Sequence, residues 1–331
     1  MMKKLLIFVL IAFFAATSVF GALLFLPKQH KGTFRLKVEK GQGIAAVSRH
    51  LADNDIVHSR LALSAGAYLM GIQNKLHQGN YKLPNEVSAW QILRRLKNGR
   101  PDTVSVRIIE GMRFAQMRRI INQAEDIRHD TLKMSDAALL KAVDAAVPHT
   151  HPEGLFAPDS YEIDAGASDL DIFKLAYKNQ QKYLERAWNS RDKDLTYKNP
   201  YELLIMASII EKETAHADDR GKVASVFANR LKKGMRLQTD PTVIYGMGER
   251  YQGKIRKADL RRDTPYNTYT RDGLPPTPIA LPGKAALEAA AEPDNTDYFY
   301  FVSKMDSSGE SHFSRNLDEH NAAVRKYILK K

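Results

Sequence analysis

The chain of 331 residues is 44% apolar, which allows one sizeable core with a smaller satellite and excludes a largely disordered protein. It has no cysteine, so disulfides, thiolate metal sites and a cysteine nucleophile are excluded. Its net charge of +12 suits an anionic membrane surface or wall polymer as well as a merely solvated basic surface; without a zinc finger or an aromatic-basic motif it does not point to nucleic acid.

Lys3 and Lys4 precede an uncharged run, 5–27, long enough to cross the roughly 30 Å hydrocarbon layer as a helix. The small residues at Ala16-Thr17-Ser18 leave a cleavable signal as the rival. The run is longer than the usual ~7–15-residue apolar core of a signal, which favours an anchor. Lys28, Lys31, Arg35 and Lys37 on the far side match or exceed Lys3, Lys4 and the amino terminus, so flanking charge leaves the orientation open. Long domains translocate largely regardless of such charge, and residues 28–331 are therefore expected beyond the membrane, with 1–4 as a cytoplasmic tail.

After a linker at 28–33, a short alternating segment, a turn and an amphipathic helix recur three times: 36–41 with helix 44–54, 80–84 with helix 89–97, and 104–111 with helix 114–124. Ile44, Val47, Ser48 and Leu51, and then Ile92, Leu93 and Leu96, fall at helical spacing and are expected to cover a small sheet. A polar, Ala-rich helix is predicted at 131–146. A loop follows, broken by Pro152, Gly154 and Pro158. A long helix at 170–188 has Ile172, Leu175, Ala176 and Tyr183 as its candidate core face, and 189–199 reads as a charged linker. Helices at 201–214 and 220–232, a polar proline-rich stretch after Gly248, a helix at 284–291, an aromatic strand at 297–304 and a terminal helix at 317–329 make this part mixed α+β.

The apolar helix 201–214 ends in Glu211-Lys212-Glu213, close in sequence to the loop Leu237-Gln-Thr-Asp-Pro-Thr242. A carboxyl group at the end of an apolar helix is partly desolvated, which raises its pKa toward the value a general acid needs near neutrality. Leu204, Ala207, Ser208 and Glu211 share one helical stripe, and Glu213 lies about 200° away around the axis. Residues alone leave the two glutamates as rivals. Gln238, Thr239 and Asp240 are candidates to bind sugar hydroxyls or orient the acid, although Asp240-Pro241 also fits an ordinary turn. Tyr266, Asn267 and Tyr269 offer phenol and amide groups for a saccharide, with Asn267 suited to an acetamido group; buried, satisfied tyrosines are the competing reading. His149, His151 and Glu153 lack the His-Glu-x-x-His pattern and Pro152 breaks any helix through them, so no metal or cofactor is expected.

The runs Ala207-Ser-Ile-Ile-Glu-Lys-Glu-Thr-Ala215, Lys222-Val-Ala-Ser-Val-Phe-Ala-Asn-Arg-Leu231 and Gly234-Met-Arg-Leu-Gln-Thr-Asp-Pro-Thr-Val-Ile-Tyr-Gly-Met-Gly248 resemble the endolytic murein transglycosylases of the YceG-like (MltG) family. Pro265-Tyr-Asn-Thr-Tyr269, Gly273-Leu-Pro-Pro-Thr-Pro-Ile279 and Tyr298-Phe-Tyr-Phe-Val302 continue the likeness in order. The resemblance implies an anchor at 5–27, a LysM-like β/α domain at 34–125 that could hold glycan, and an α+β catalytic domain at 126–331. It is read as selecting the first glutamate of the triplet, Glu211, as the catalytic acid, with Glu213 in a structural ion pair to Arg220, Lys222 or Arg230. The implied reaction cleaves the β-1,4 bond between N-acetylmuramic acid and N-acetylglucosamine in nascent peptidoglycan. It leaves 1,6-anhydro ends that terminate strand growth at the periplasmic face of the inner membrane, with peptidoglycan synthases (penicillin-binding proteins) as partners. Two alternatives stand beside it, a non-catalytic murein-binding scaffold and a hydrolase using Glu211 with Asp240.

Overall fold

The computed structural model describes residues 2–39, 41–99 and 101–329; Met1 of the expected tail and Lys40 of the first expected turn lie outside them. The chain packs as two units, Met1–Ser105 with Ala124–Arg128 and Glu162–Ser168, and Val106–Gln123 with His129–Tyr161 and Asp169–Lys331.

The first unit begins with α1 (Met2–Phe25), a helix long and apolar enough to cross a membrane. Next come β1 (Lys28–Gln29), β2 (Phe34–Val38), α2 (Ile44–Asp53), α3 (Arg60–Leu69), β3 (Gly79–Leu83), β4 (Glu86–Val87), α4 (Ala89–Asn98) and the first part of β5 (Thr103–Arg107). β2 runs antiparallel to β3, from Phe34 opposite Leu83 to Val38 opposite Gly79, and β1 pairs with β4. Ile44, Val47, Ser48 and Leu51 of α2 and Ile92, Leu93 and Leu96 of α4 are buried, the stripes their spacing predicts. α4 is delimited by its own residues: Ser88 and Gln91 form a reciprocal cap, and Gly99 takes the left-handed conformation after its end.

The repeat predicted from the sequence is not the one observed. Between β2 and β3 stands a second helix, α3, so the first copy is strand, helix, helix, strand. α3 escapes a search for one apolar stripe because its residues are apolar nearly all round: Ala62, Leu63, Gly66 and Ala67 are buried, while Leu61, Tyr68 and Leu69 are exposed. The third copy divides, with its helix in the second unit.

The second unit contains α5 (Phe114–Gln123), α6 (Asp136–Val143), part of β6 (Ser160–Asp164), α7 (Asp169–Ser190), α8 (Pro200–Glu213), α9 (Ala217–Lys232), α10 (Asp240–Met247), α11 (Lys257–Arg261), α12 (Lys284–Ala291), β7 (Tyr300–Ser303), β8 (Ser311–Ser314) and α13 (Leu317–Tyr327). β5 pairs with β6, and β7 with β8 as an antiparallel pair. The architecture is mixed α+β. α7 is rotated from its expected face: Ile172, Phe173, Ala176, Gln180, Leu184 and Ala187 are buried, whereas Leu175 is 40% exposed. Phe173 is the reason, because its ring joins a cluster with Phe114 and Phe156, and Leu175 two residues on must point away.

The loop at 149–158 is held by an acid. Glu153 is 3% exposed; its Oε1 accepts the Phe114 amide that opens α5 at 2.8 Å, and its Oε2 accepts the Tyr245 hydroxyl at 3.1 Å. Burial pushes its carboxyl up to about 7, against the lowering effect of these two hydrogen bonds. The His149 ring stacks on Tyr201 at 4.0 Å, and among the described residues no cluster of His, Asp and Glu is arranged to hold a metal. Next to Glu153, Gly154 has φ +78, and a Cβ there would lie 2.5 Å from Cβ of Pro278, so this turn requires glycine.

Because the folded state keeps the Glu153 proton to about pH 7 while an unfolded glutamate releases it near 4.5, the folded chain binds the extra proton between those values and loses stability as pH rises through them. A Glu153→Gln variant keeps an acceptor for Phe114 and has no proton to lose. Denaturant unfolding at a series of pH values should therefore show the variant gaining on the wild type by about 1–3 kcal/mol between pH 5 and 8.

Candidate active site

α8 is the buried axis of the second unit. Asn199 caps it by accepting the Glu202 amide at 3.0 Å, and Pro200 occupies its first turn, where a missing N–H costs nothing. Every residue from Leu203 to Ile210 is buried, and the helix packs against α7, α9, α10 and α12. Ser208 is the one polar residue in that stretch. Its hydroxyl donates to the Ile205 carbonyl and accepts the Ile279 amide at 3.0 Å, so nothing polar is left over.

The helix emerges at Glu211-Lys212-Glu213, and the two glutamates part company. Glu211 Oε2 accepts the Gly283 amide at 2.9 Å at the start of α12. Gly283 also abuts the exposed Glu110, whose Oε1 would sit 2.0 Å from a Cβ at that position. Burial raises the Glu211 carboxyl above its ordinary value, the Gly283 hydrogen bond opposes this, and the Glu110 charge adds to it. The second glutamate faces the loop. Glu213 Oε1 accepts the Thr239 hydroxyl, and burial pushes its carboxyl up to about 7, helped by the charge of Asp240. Among the described residues Glu213 has no ion pair, which corrects the expected bridge to Arg220, Lys222 or Arg230.

Glu213 lines a cavity of about 420 Å³ together with Arg230, Gln238, Thr239, Asp240, Tyr269, Tyr300 and His320, over a floor that includes Phe227, Leu237 and Phe301. This size and mixture of aromatic faces with a few converging polar groups is what a small-ligand or saccharide site looks like. Of the residues expected around the acid, Gln238, Thr239, Asp240 and Tyr269 are thus brought together, but on Glu213 and not on Glu211. The reason is the angle between the two side chains: two helical steps carry them about 200° apart.

The cavity wall is tied down from below by Arg230, which is 7% exposed. Its guanidinium donates to the carbonyls of Phe299 at 2.7 Å, Arg236 at 3.2 Å and Leu237 at 2.9 Å, and lies over the Tyr300 ring at 5.0 Å. Thr239 is fixed again through its amide to Thr268 Oγ1 at 3.1 Å, and Thr268 meets Thr242 at 2.9 Å. Between these anchors Gln238 is held at φ +51, a conformation a non-glycine residue adopts only when its surroundings impose it. The Tyr269 hydroxyl donates to Asp240 Oδ1 at 2.6 Å.

Three further expectations change. Asp240-Pro241 does not make an isolated turn; it opens α10, where proline in the first turn suits a helix. Asn267 is 1% exposed and fully engaged, donating to the carbonyls of Leu260 at 3.1 Å and Arg262 at 2.7 Å and accepting the Tyr269 amide at 2.8 Å, so its amide is not free for an acetamido group. Tyr266 pairs its hydroxyl with Thr277 at 2.8 Å and its ring with Tyr245, away from the Glu213 cavity. Of the proline-rich stretch, Gly273, Leu274, Pro275 and Pro276 line a separate cavity of about 490 Å³ with Tyr197 and Tyr201, which neither glutamate reaches. Sequence reasoning missed Arg230 as the organiser of the wall, because an arginine near a helix C-terminus reads as a dipole partner.

Replacing Arg230 by methionine keeps the stem and strands three carbonyl acceptors. Denaturant unfolding should register a loss of about 2–4 kcal/mol, the scale of lost charged hydrogen bonds and unpaired buried groups.

The YceG-like family model matches residues 36–326. The chain is 34% identical over 322 residues to the endolytic murein transglycosylase of Bacillus subtilis, covering 92% of this chain and 87% of that one. It is 25% identical to the endolytic murein transglycosylase of Streptococcus pneumoniae, covering 96% of this chain and 63% of the longer relative. The crystal structure of a YceG-like protein from Listeria monocytogenes superposes with a TM-score of 0.54 at 30% identity, over 88% of this chain and 99% of that one. With the match running through both packing units and through the cavity that holds Glu213, the chain belongs to the YceG-like family.

Proposed function

We propose that this enzyme is an endolytic murein transglycosylase that uses Glu213 as its single acid and base. The names of its relatives support the substrate and the reaction class. The observation that carries the residue assignment is the cavity in which a half-buried carboxyl, raised to about 7, meets Gln238, Asp240 and Tyr269. Glu211 is the rival chosen from the sequence, and its carboxylate is spent on the Gly283 amide at the head of α12.

Protonated Glu213 donates to the oxygen of the β-1,4 bond between N-acetylmuramic acid and N-acetylglucosamine. The C–O bond breaks, and the N-acetylglucosamine hydroxyl leaves with that proton. Glu213, now a carboxylate, takes the proton of the C6 hydroxyl on the muramoyl residue as that oxygen closes on the anomeric carbon, giving a 1,6-anhydro end and regenerating the acid. No water is consumed. Thr239 orients the carboxyl, while Gln238, Asp240 and Tyr269 bind sugar hydroxyls. With α1 as a single-pass inner-membrane anchor, the enzyme acts in the periplasm on nascent strands and terminates their growth beside peptidoglycan synthases. The β2–α2–α3–β3 portion serves as the LysM-like glycan holder. Asp240 shares the cavity and raises the Glu213 pKa, which favours two-carboxylate hydrolysis as the second reading.

Mass spectrometry of cleaved glycan strands separates these readings. Anhydro ends support the proposal, reducing ends the hydrolase, and uncut strands a binding scaffold. Glu213→Gln should lower turnover by about 10²–10⁴, the usual contribution of general acid–base catalysis. Glu211→Gln, which still accepts from Gly283, should stay within about tenfold of wild type; the reverse ranking of the two variants would return the role to Glu211.

The pH dependence follows from the same group. Since the protonated form must donate, kcat/KM should fall about tenfold per pH unit above about 7. A flat profile from pH 6 to 9 would remove Glu213 as the donor.

A further inference from the structure

Among the described residues, one face of α3 is left largely uncovered. Leu61, Tyr68 and Leu69 are 80%, 65% and 75% exposed, and with Ala65 they form one stripe at i, i+4, i+7 and i+8. Three large apolar side chains in a row are more than the scattered surface leucines of a soluble protein. Their position relative to α1 says what covers them.

α1 packs directly on α3. Leu24, only 2% exposed, fits against Gly66, where a Cβ would come within 2.8 Å of it, and Phe25 meets Trp90 of α4 at 5.1 Å. Small residues at such a crossing are what lets two backbones approach closely. Alongside the crossing runs an apolar groove of about 540 Å³, lined by Ala15, Val19 and Leu23 of α1 and by Leu61 and Ala65 of α3. The length of the anchor then decides the level of that groove. The uncharged run 5–26 is about 33 Å long as a helix, against roughly 30 Å of hydrocarbon, so almost none of it can stand clear of the bilayer. Ala15 to Leu23 must lie in the leaflet on the α3 side, and α3 side chains sharing their groove lie there too.

Charge agrees with this placement. Residues 28–105 carry thirteen Lys and Arg against five Asp and Glu, a net +8 out of the chain's +12. Arg60 is exposed at the head of α3, at the end where His58 meets the Pro27 carbonyl at 3.3 Å just past the anchor. Basic residues beside an apolar helix face, with a tryptophan at the anchor's exit, are the pattern of a helix seated at an anionic lipid interface.

Resting on the reading of α1 as a membrane anchor, we infer that α3 is a second membrane contact: its Leu61–Ala65–Tyr68–Leu69 face is embedded in the outer leaflet and an acyl chain fills the groove between α1 and α3. The first unit is thereby held against the bilayer surface by two elements and cannot swing about α1 as a free tether.

The absence of native cysteine makes the test clean. Single-cysteine variants of the full-length chain, Leu61→Cys, Leu69→Cys, Val9→Cys in the anchor and Lys37→Cys on β2, are labelled with an environment-sensitive fluorophore. They are then reconstituted into phosphatidylethanolamine–phosphatidylglycerol vesicles with or without lipid spin-labelled near the top of the acyl chain. The inference expects quenching of at least twofold at positions 61 and 69, and little at 37. Quenching at 9 with none at 61 and 69 overturns the α3 contact and leaves the anchor standing. Absence of quenching at 9 as well overturns the anchor reading itself and the α3 seat with it. An unquenched label at position 61, together with an interchain disulfide when the unlabelled Leu61→Cys variant is treated with a mild oxidant such as copper phenanthroline, overturns the lipid assignment in favour of a second copy covering this face.

Discussion

The organisation of the second unit depends on the burial of the middle of α8, Leu203–Ile210. A helix apolar on all sides has to be enclosed on all sides, and each leucine or isoleucine taken from water contributes roughly 1.5–3 kcal/mol to keeping it so. Its neighbours α7, α9, α10 and α12 leave it nowhere to emerge except at its ends. The carboxyl-terminal end is where charge begins, and consecutive residues there are carried about 100° apart by helix geometry. Glu211, Lys212 and Glu213 therefore meet three different surroundings within one half-turn: the amide at the head of α12, the carbonyl of Gly111 and the hydroxyl of Thr239.

That divergence gives the two glutamates different surroundings. Both carboxyl groups are raised by desolvation, so a raised pKa does not by itself tell them apart. What differs is the neighbourhood. Glu211 faces a backbone amide that stabilises its charged form, beside the exposed carboxylate of Glu110. Glu213 faces a single hydroxyl and a nearby carboxylate, next to an open cavity, a setting that favours the protonated form.

The wall opposite Glu213 is rigid for an identifiable reason. Arg230 gathers three carbonyls from two separate segments, and the threonine cluster 239, 242 and 268 closes the same loop from the other side. The left-handed Gln238 lies between these two knots, so the strain of about 1–3 kcal/mol typical of such a residue is offset by fully paired buried polar groups. Anchoring of this kind fixes the shape of the cavity.

Much of this was legible in the residues. The membrane-length run, the buried stripes of α2 and α4, the start of α8 at Asn199-Pro200 and the bounds of α12 follow from local chemistry that needs no partner: charge, period, capping and proline. Gln238, Thr239, Asp240 and Tyr269, picked out through the family motifs that contain them, line one cavity, though with Glu213 and not Glu211. Local chemistry could not show what surrounds each of the two glutamates on one helix end, since that depends on which element lies opposite each one. Nor could it show that Asn267 spends its amide on carbonyls at 260 and 262, that Phe173 turns Leu175 outward, or that α3 stands between β2 and β3. Each of these is settled by residues distant in sequence competing for the same buried space, so only the tertiary structure decides them.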